Sequence, residues 1–181
     1  ITGKALNDII DGGVGVDTLN GGNGNDWIFT GQDGDADTVH GGLQDGSHNG
    51  DPEDATGDLL IYSHVKSLPD WAGLGLLDVG TEAANFSGGI VVTYTGTGSG
   101  NATGADIDTD TFDGIENVMG SKLADTFNAA SAGAAATNVF TGMAGGDTFT
   151  GGAGRDIVNY DNEVFDATII EAAIGGTFNH G

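Results

Sequence analysis

A nine-residue period constrains this chain more than any other feature. Residues Gly21-Gly22-Asn23-Gly24-Asn25-Asp26-Trp27-Ile28-Phe29 carry glycine at places one, two and four, aspartate at place six and a large apolar residue at place eight. The preceding nine, Gly12-Gly13-Val14-Gly15-Val16-Asp17-Thr18-Leu19-Asn20, follow the same rule, and so do the nine from Gly151 to Asn159. Self-similarity at a fixed short period marks a repeat architecture, in which each unit buries its apolar face against its neighbours.

Weaker copies flank the clean ones. Gly3 to Asp11 keeps Asp8 and Ile10 at places six and eight. Gly31 to His40 has one extra residue and puts Asp37 and Val39 in those roles, with Gly34 inside the turn. Gly41-Gly42 opens a further copy, an acidic loop (Asp45, Asp51, Glu53, Asp54) interrupts it, and the pattern resumes at Gly57-Asp58-Leu59-Leu60-Ile61. A second array supplies Asp125 and Phe127, Asn138 and Phe140, Asp147 and Phe149, then Asp156 and Val158. Thr111 to Met119 reads as its lead-in, with Glu116 and Val118 at the equivalent places.

The chemistry of the repeat points to a hard cation. Glycine at places one, two and four allows backbone conformations closed to other residues, so the turn can aim its carbonyl oxygens inward. Aspartate at place six adds carboxylate oxygen. Calcium takes six to eight oxygens at about 2.3–2.6 Å, more than one turn can supply, so ligands from two stacked turns are needed. Place eight points into the core and places seven and nine point out, because strand side chains alternate. Each nonapeptide makes half a coil, which stacks Asp8 with Asp26, Asp17 with Asp37, Asp125 with Asp147, and Asn138 with Asp156. Asn138 offers only a neutral oxygen and makes the weaker site. The candidate metal-binding residues are these acids and Asn138. With them go the turn glycines Gly12, Gly13, Gly15, Gly21, Gly22, Gly24, Gly34, Gly145, Gly151, Gly152 and Gly154. Asp and Asn also favour plain turns, but that alone does not explain their fixed phase with an apolar residue two places later.

Composition bounds the rest. Lys and Arg number 4 against 27 Asp and Glu, a net charge of −23 over 181 residues. Such a chain repels nucleic acid and anionic membrane surfaces, and repels itself when compact unless cations neutralise it. There is no cysteine, hence no disulfide or thiolate site. No apolar run reaches the length of a membrane span and no signal peptide opens the chain, so membrane insertion is not expected. A start at Ile1 reads as a piece cut from a longer protein.

The sequence divides into a first array (1–61), a connecting segment (62–110), a second array (111–161) and a tail (162–181). Gly89 to Tyr94 reads as a strand, Pro69 to Leu77 as a short helical turn, Gly96 to Gly104 as a flexible turn and Val164 to Ile170 as a strand. Asp106-Ile107-Asp108-Thr109-Asp110 lacks the glycine and closing glutamate of an EF-hand and reads as alternating aspartates on an exposed strand face. His40, His48, His64 and His180 are scattered, and neither H-E-x-x-H nor G-x-S-x-G occurs. Places seven and nine leave Ile9, Trp27 and Phe29 as an outward apolar patch, covered by the chain's own loops or by a partner. The opposite outward face carries Thr18, Asn20, Thr38 and His40.

These residues resemble the RTX, or hemolysin-type calcium-binding repeat, proteins of Gram-negative bacteria. Gly114-Ile115-Glu116-Asn117-Val118-Met119-Gly120 leading into Ala124-Asp125-Thr126-Phe127 is similar to the segment that often precedes such arrays. The resemblance covers residues 3–61 and 111–160. It implies a calcium-filled parallel β-roll, type I secretion, and folding only after export to calcium. The expected fold is all-β: calcium-stabilised parallel β-roll (β-solenoid) segments with an irregular β-rich middle, holding several calcium ions. The expected role is non-enzymatic, a structural module of a secreted or cell-surface protein of adhesin, surface-layer (S-layer) or filament type. Its partners would be neighbouring modules or copies of itself. The alternative is an accessory roll on a secreted protease, lipase or epimerase.

Overall fold

A computed structural model describes residues 1–31, 33–43, 57–62, 87–159 and 168–170. The elements among them are all strands: β1 (Ile9–Asp11), β2 (Thr18–Asn23), β3 (Trp27–Phe29), β4 (Thr38–Leu43), β5 (Leu59–Ile61), β6 (Val91–Gly96) and β7 (Ser99–Gly104), followed by β8 (Asp108–Asp113), β9 (Asn117–Met119), β10 (Thr126–Asn128), β11 (Thr137–Thr141), β12 (Thr148–Thr150), β13 (Arg155–Asn159) and β14 (Thr168–Ile170). No helix among the described residues is long and apolar enough to cross a membrane. The chain is an all-β, parallel roll.

Outside β6–β8, successive strands alternate between two sheets, with turns between them that reverse the chain. One sheet has six strands in the order β1-β3-β5-β9-β11-β13, and the other eight, β14-β12-β10-β6-β7-β8-β4-β2. The six-stranded sheet runs without a break from the first array to the second: β5 pairs with β9 in parallel, Leu60 beside Val118, and β9 pairs with β11, Val118 beside Phe140. In the eight-stranded sheet an antiparallel meander lies between the arrays. There β6 pairs with β7 and β7 with β8, while β8 joins β4 and β6 joins β10 in parallel.

This meander corrects the reading of Gly96 to Gly104 as a flexible turn. Only Thr97-Gly98 forms the turn, with Gly98 at φ 64, and Ser99–Gly104 is a full strand. Gly and Thr there pack little side chain but keep both backbone edges paired. The strand expected at Gly89 to Tyr94 is present, shifted to Val91–Gly96. The expected helical turn at Pro69 to Leu77 lies outside the described residues, as does the acidic loop at 45–54.

Two additional strands make the second sheet wider by roughly 9–10 Å. The extra interior is filled by aromatic side chains. Tyr94 meets Phe112 and Phe140 edge-on, with ring centroids 5.2 and 6.0 Å apart, and Phe127 stacks on Phe149 at 5.0 Å. Such pairs add about 0.5–1.5 kcal/mol each beyond the area they bury. In the first array, smaller place-eight residues (Ile10, Leu19, Ile28, Val39) fill the core.

The outward patch is also corrected. Ile9 is half-exposed, but Trp27 and Phe29 are only 6% and 8% exposed. They form a second buried cluster with Ile61, against which Leu59 and Met119 pack. The cause is register: Trp27 lies beside Leu59 and Phe29 beside Ile61 on adjacent strands, so outward apolar side chains from successive rungs cover one another. On the opposite face, His40 pairs with Asp113 at 2.7 Å.

Candidate metal centres

Most place-six residues sit just before a strand, while Asn138, Asp156 and Asp110 lie within one; each is two positions before a core residue. Parallel pairing then stacks these residues into columns. On the six-stranded side, strand register places Asp8, Asp26, Asp58, Glu116, Asn138 and Asp156 one above another. On the other side Asp17, Asp37 and Asp110 stack at one end, and Asp125 and Asp147 at the other. The four pairs expected from the half-coil period are therefore neighbours. Asp58, Asp110 and Glu116 extend the columns.

A ladder of hydrogen bonds runs along each column. The Asp8 N–H donates to Asp26 Oδ1 (2.8 Å), Asp26 N–H to Asp58 Oδ1 (2.7 Å) and Asp58 N–H to Glu116 Oε2 (3.2 Å). Asp17 N–H donates to Asp37 Oδ1, Asp37 N–H to Asp110 Oδ1, and Asp125 N–H to Asp147 Oδ1, each at 2.8 Å. Asn138 breaks the rule, donating its side-chain Nδ2 to Asp156 Oδ1 at 2.8 Å. Asp110 corrects the expectation of an exposed strand face. Asp108 points out, but Asp110 is fully buried, with the Tyr62 and Thr30 hydroxyls favouring its charged form.

The ladder uses one carboxylate oxygen per residue. The second oxygen of Asp17, Asp26, Asp58 and Asp147 is buried and has no hydrogen-bond partner. An unpartnered buried polar atom costs about 1–3 kcal/mol, and more when charged. Those of Asp17, Asp26 and Asp58 lie against the first glycine of their own turn, Gly12, Gly21 and Gly41. A Cβ on Gly41 would come within 2.5 Å of Asp58 Oδ2 and would also collide with the Gly114 carbonyl oxygen. A Cβ on Gly21 would meet both Asp26 Oδ2 and the Gly41 carbonyl oxygen, and one on Gly12 would lie 2.9 Å from the Thr30 carbonyl oxygen and 3.2 Å from Asp17 Oδ2. Carboxylate from one turn and carbonyl from the next thus converge at each of these glycines.

Other turn glycines have backbones suited to glycine. Gly13, Gly15, Gly22, Gly24, Gly34 and Gly145 have φ between 78 and 136. Gly151 is buried, and a Cβ on Gly152 or Gly154 would strike the Ala129 or Ala136 carbonyl.

Electrostatics agree with the packing. Burial pushes the Asp58 carboxyl up to about 7, against the Asp26 N–H that favours its charged form, and the Asp26 and Glu116 carboxylates push it further up. Burial likewise raises Asp110 and Asp125 to about 6, and raises Asp26 and Asp37. Stacked, buried acids in a chain with only 4 Lys and Arg lack compensating charge.

The residues present fit calcium. Among the described residues no three His, Cys, Asp or Glu side chains converge on one point. The turns offer single carboxylate oxygens with backbone carbonyls, a donor set that suits calcium and not the nitrogen and sulfur preference of zinc. A bound calcium supplies the positive charge and oxygen coordination that these unpartnered atoms lack.

A comparison with protein-family models matches the RTX calcium-binding nonapeptide repeat, in 4 copies, at residues 2–36 and 133–162. A search of curated proteins finds no match to the chain. The matched segments contain the Asp8–Asp26 pair, the Asp17 turn and the Asn138–Asp156 pair. Asp58, Asp110, Glu116, Asp125 and the meander lie between the segments, where the insertions interrupt the period. Those two segments, about a third of the chain, are thus similar to RTX calcium-binding nonapeptide repeats.

Proposed function

We propose that this chain is a calcium-dependent structural module of a large secreted or cell-surface protein, of adhesin, surface-layer or filament type, that folds on meeting calcium after export. The observation that carries this reading is the column of buried carboxylate oxygens, unpartnered and converging with carbonyls of the next turn. A fold that needs cations to neutralise its own interior stays open where calcium is scarce and closes where calcium is plentiful. The ligands are Asp17, Asp26 and Asp147, together with Asp8, Asp37, Asp125, Asn138 and Asp156 as the supporting acids and amide of the columns. The place-six acids serve the roll itself through the ladders, which favours a structural over a catalytic role. Partners are calcium and neighbouring modules or copies.

Location tests this reading. Antibody against the chain should label intact, unpermeabilised cells of the source organism, or detect the protein in the medium. Labelling that appears only after permeabilisation would overturn the extracellular assignment.

A further inference from the structure

Turns of this roll fall into two geometries that the repeat consensus does not distinguish. In the first, the place-two residue has positive φ and the place-six Oδ2 has no partner. Gly13, Gly22 and Met143 stand at φ 86, 110 and 81, and Asp17, Asp26 and Asp147 are the matching acids. In the second, the place-two residue is not in the left-handed region, and its N–H donates to the place-six Oδ2. Lys4 donates to Asp8 at 2.6 Å, Ser121 to Asp125 at 2.7 Å and Gly152 to Asp156 at 2.7 Å. Asp125 is further tied by the Ser121 hydroxyl and the Ile90 N–H, both at 2.8 Å. A backbone donor already satisfies the oxygen that the first geometry leaves bare.

The interrupted copy belongs to the first geometry. Gly41 lies against Asp58 Oδ2, Gly42 has φ 119, and Asp58 Oδ2 is buried without a partner. Its two halves are separated by residues 43–56, yet they close into one turn beneath Gly114 of the next. Met143 strengthens the distinction. A side chain with a Cβ rarely occupies positive φ, and a strained backbone of this kind persists where the surroundings or a function hold it. Here it keeps the Met143 N–H from latching Asp147.

We infer that only the open turns hold calcium, at Asp17, Asp26, Asp147 and a split site built from Gly41, Gly42, Asp58 and the Gly114 carbonyl, whereas the latched turns at Asp8, Asp125 and Asp156 are closed by the chain's own donors. This inference rests on the calcium reading above and narrows it. The latched turns are hydrogen-bonded rungs that give the roll fixed points between its metal-dependent ones. Asn138 stands apart, its neutral amide bridging to Asp156.

Equilibrium dialysis of the whole chain against calcium, with bound metal counted by atomic absorption, tests this. Asp58→Asn and Asp147→Asn should each lose one equivalent of calcium relative to wild type. Asp125→Asn should keep the wild-type number. If Asp58→Asn does not fold in calcium, Asp147→Asn against Asp125→Asn decides within the second array alone. Equal losses from Asp125→Asn and Asp147→Asn would overturn the two-class assignment while leaving calcium binding intact. A wild-type chain that binds no calcium would remove the calcium reading itself, and this inference with it.

Discussion

In chelator at neutral pH, circular dichroism of this chain should show a largely disordered polypeptide, and millimolar calcium should restore the β signal. The net charge is −23, and its columns bring like-charged carboxylates to adjacent rungs of a sheet. Without cations, compaction stacks those charges and buries unpartnered oxygens at Asp26, Asp58 and Asp147. The core of three-residue strands and single place-eight side chains is thin against that penalty. Metal ligands drawn from separate turns make the binding free energy part of the folding free energy. Magnesium at the same concentration should fail to restore the fold, because it demands tighter octahedral geometry and sheds water reluctantly. A full β signal in chelator would remove calcium from the account of folding.

Acid should partly replace calcium. Asp58 has a folded-state value of about 7, and Asp110 and Asp125 about 6, all raised by burial. A carboxyl raised in this way holds its proton more tightly in the folded chain. Its contribution to stability is complete below the unfolded value of about 3.9 and is lost as pH rises through the folded value. Chelated protein should therefore gain β structure as pH falls from about 7 toward 4, while the calcium needed for folding rises because protons compete for the same oxygens. Asp58→Asn separates this local effect from the general loss of negative charge. Chelated at pH 7, it should be more ordered than wild type, because its amide removes the buried charge and can donate to the Gly114 carbonyl. The same variant should require no less calcium to fold completely. Ordering of the chelated wild type that is flat between pH 7 and 4 would contradict the raised values.

Much of this architecture was legible in the period. Glycine, aspartate and an apolar residue in fixed phase specify both the turn and the strand, and the half-coil spacing brings Asp8 beside Asp26 and Asn138 beside Asp156. The period stops being informative where insertions break it. The return of the pattern at Gly57-Asp58 hints that Asp58 completes the copy opened by Gly41, but only the folded turn places Asp58 Oδ2 against Gly41. Asp110 joins Asp37 through parallel pairing of strands distant in sequence, and alternation alone could not say which face of β8 turns inward. The strand Ser99–Gly104 is made of Gly, Ser, Thr, Asn and Ala, residues that signal a turn locally and pair as a strand only because β6 and β8 flank it. Trp27 and Phe29 read as outward-facing from place parity, and their burial comes from Leu59 and Ile61 on the next rung. Place two is Lys4, Ser121 or Gly152 in the latched turns and Gly13, Gly22, Gly42 or Met143 in the open ones, so residue type alone sorts neither Gly152 nor Met143.

The most direct test is anomalous diffraction from crystals of the chain grown with calcium. The expected result is anomalous peaks between stacked turns, each in contact with a carboxylate oxygen of one turn and a carbonyl of the next, including one beside Asp26 Oδ2 and the Gly41 carbonyl and one beside Asp58 Oδ2 and the Gly114 carbonyl. Folded turns that contain only water, with calcium confined to the surface, would contradict the claim that these columns are built around the metal.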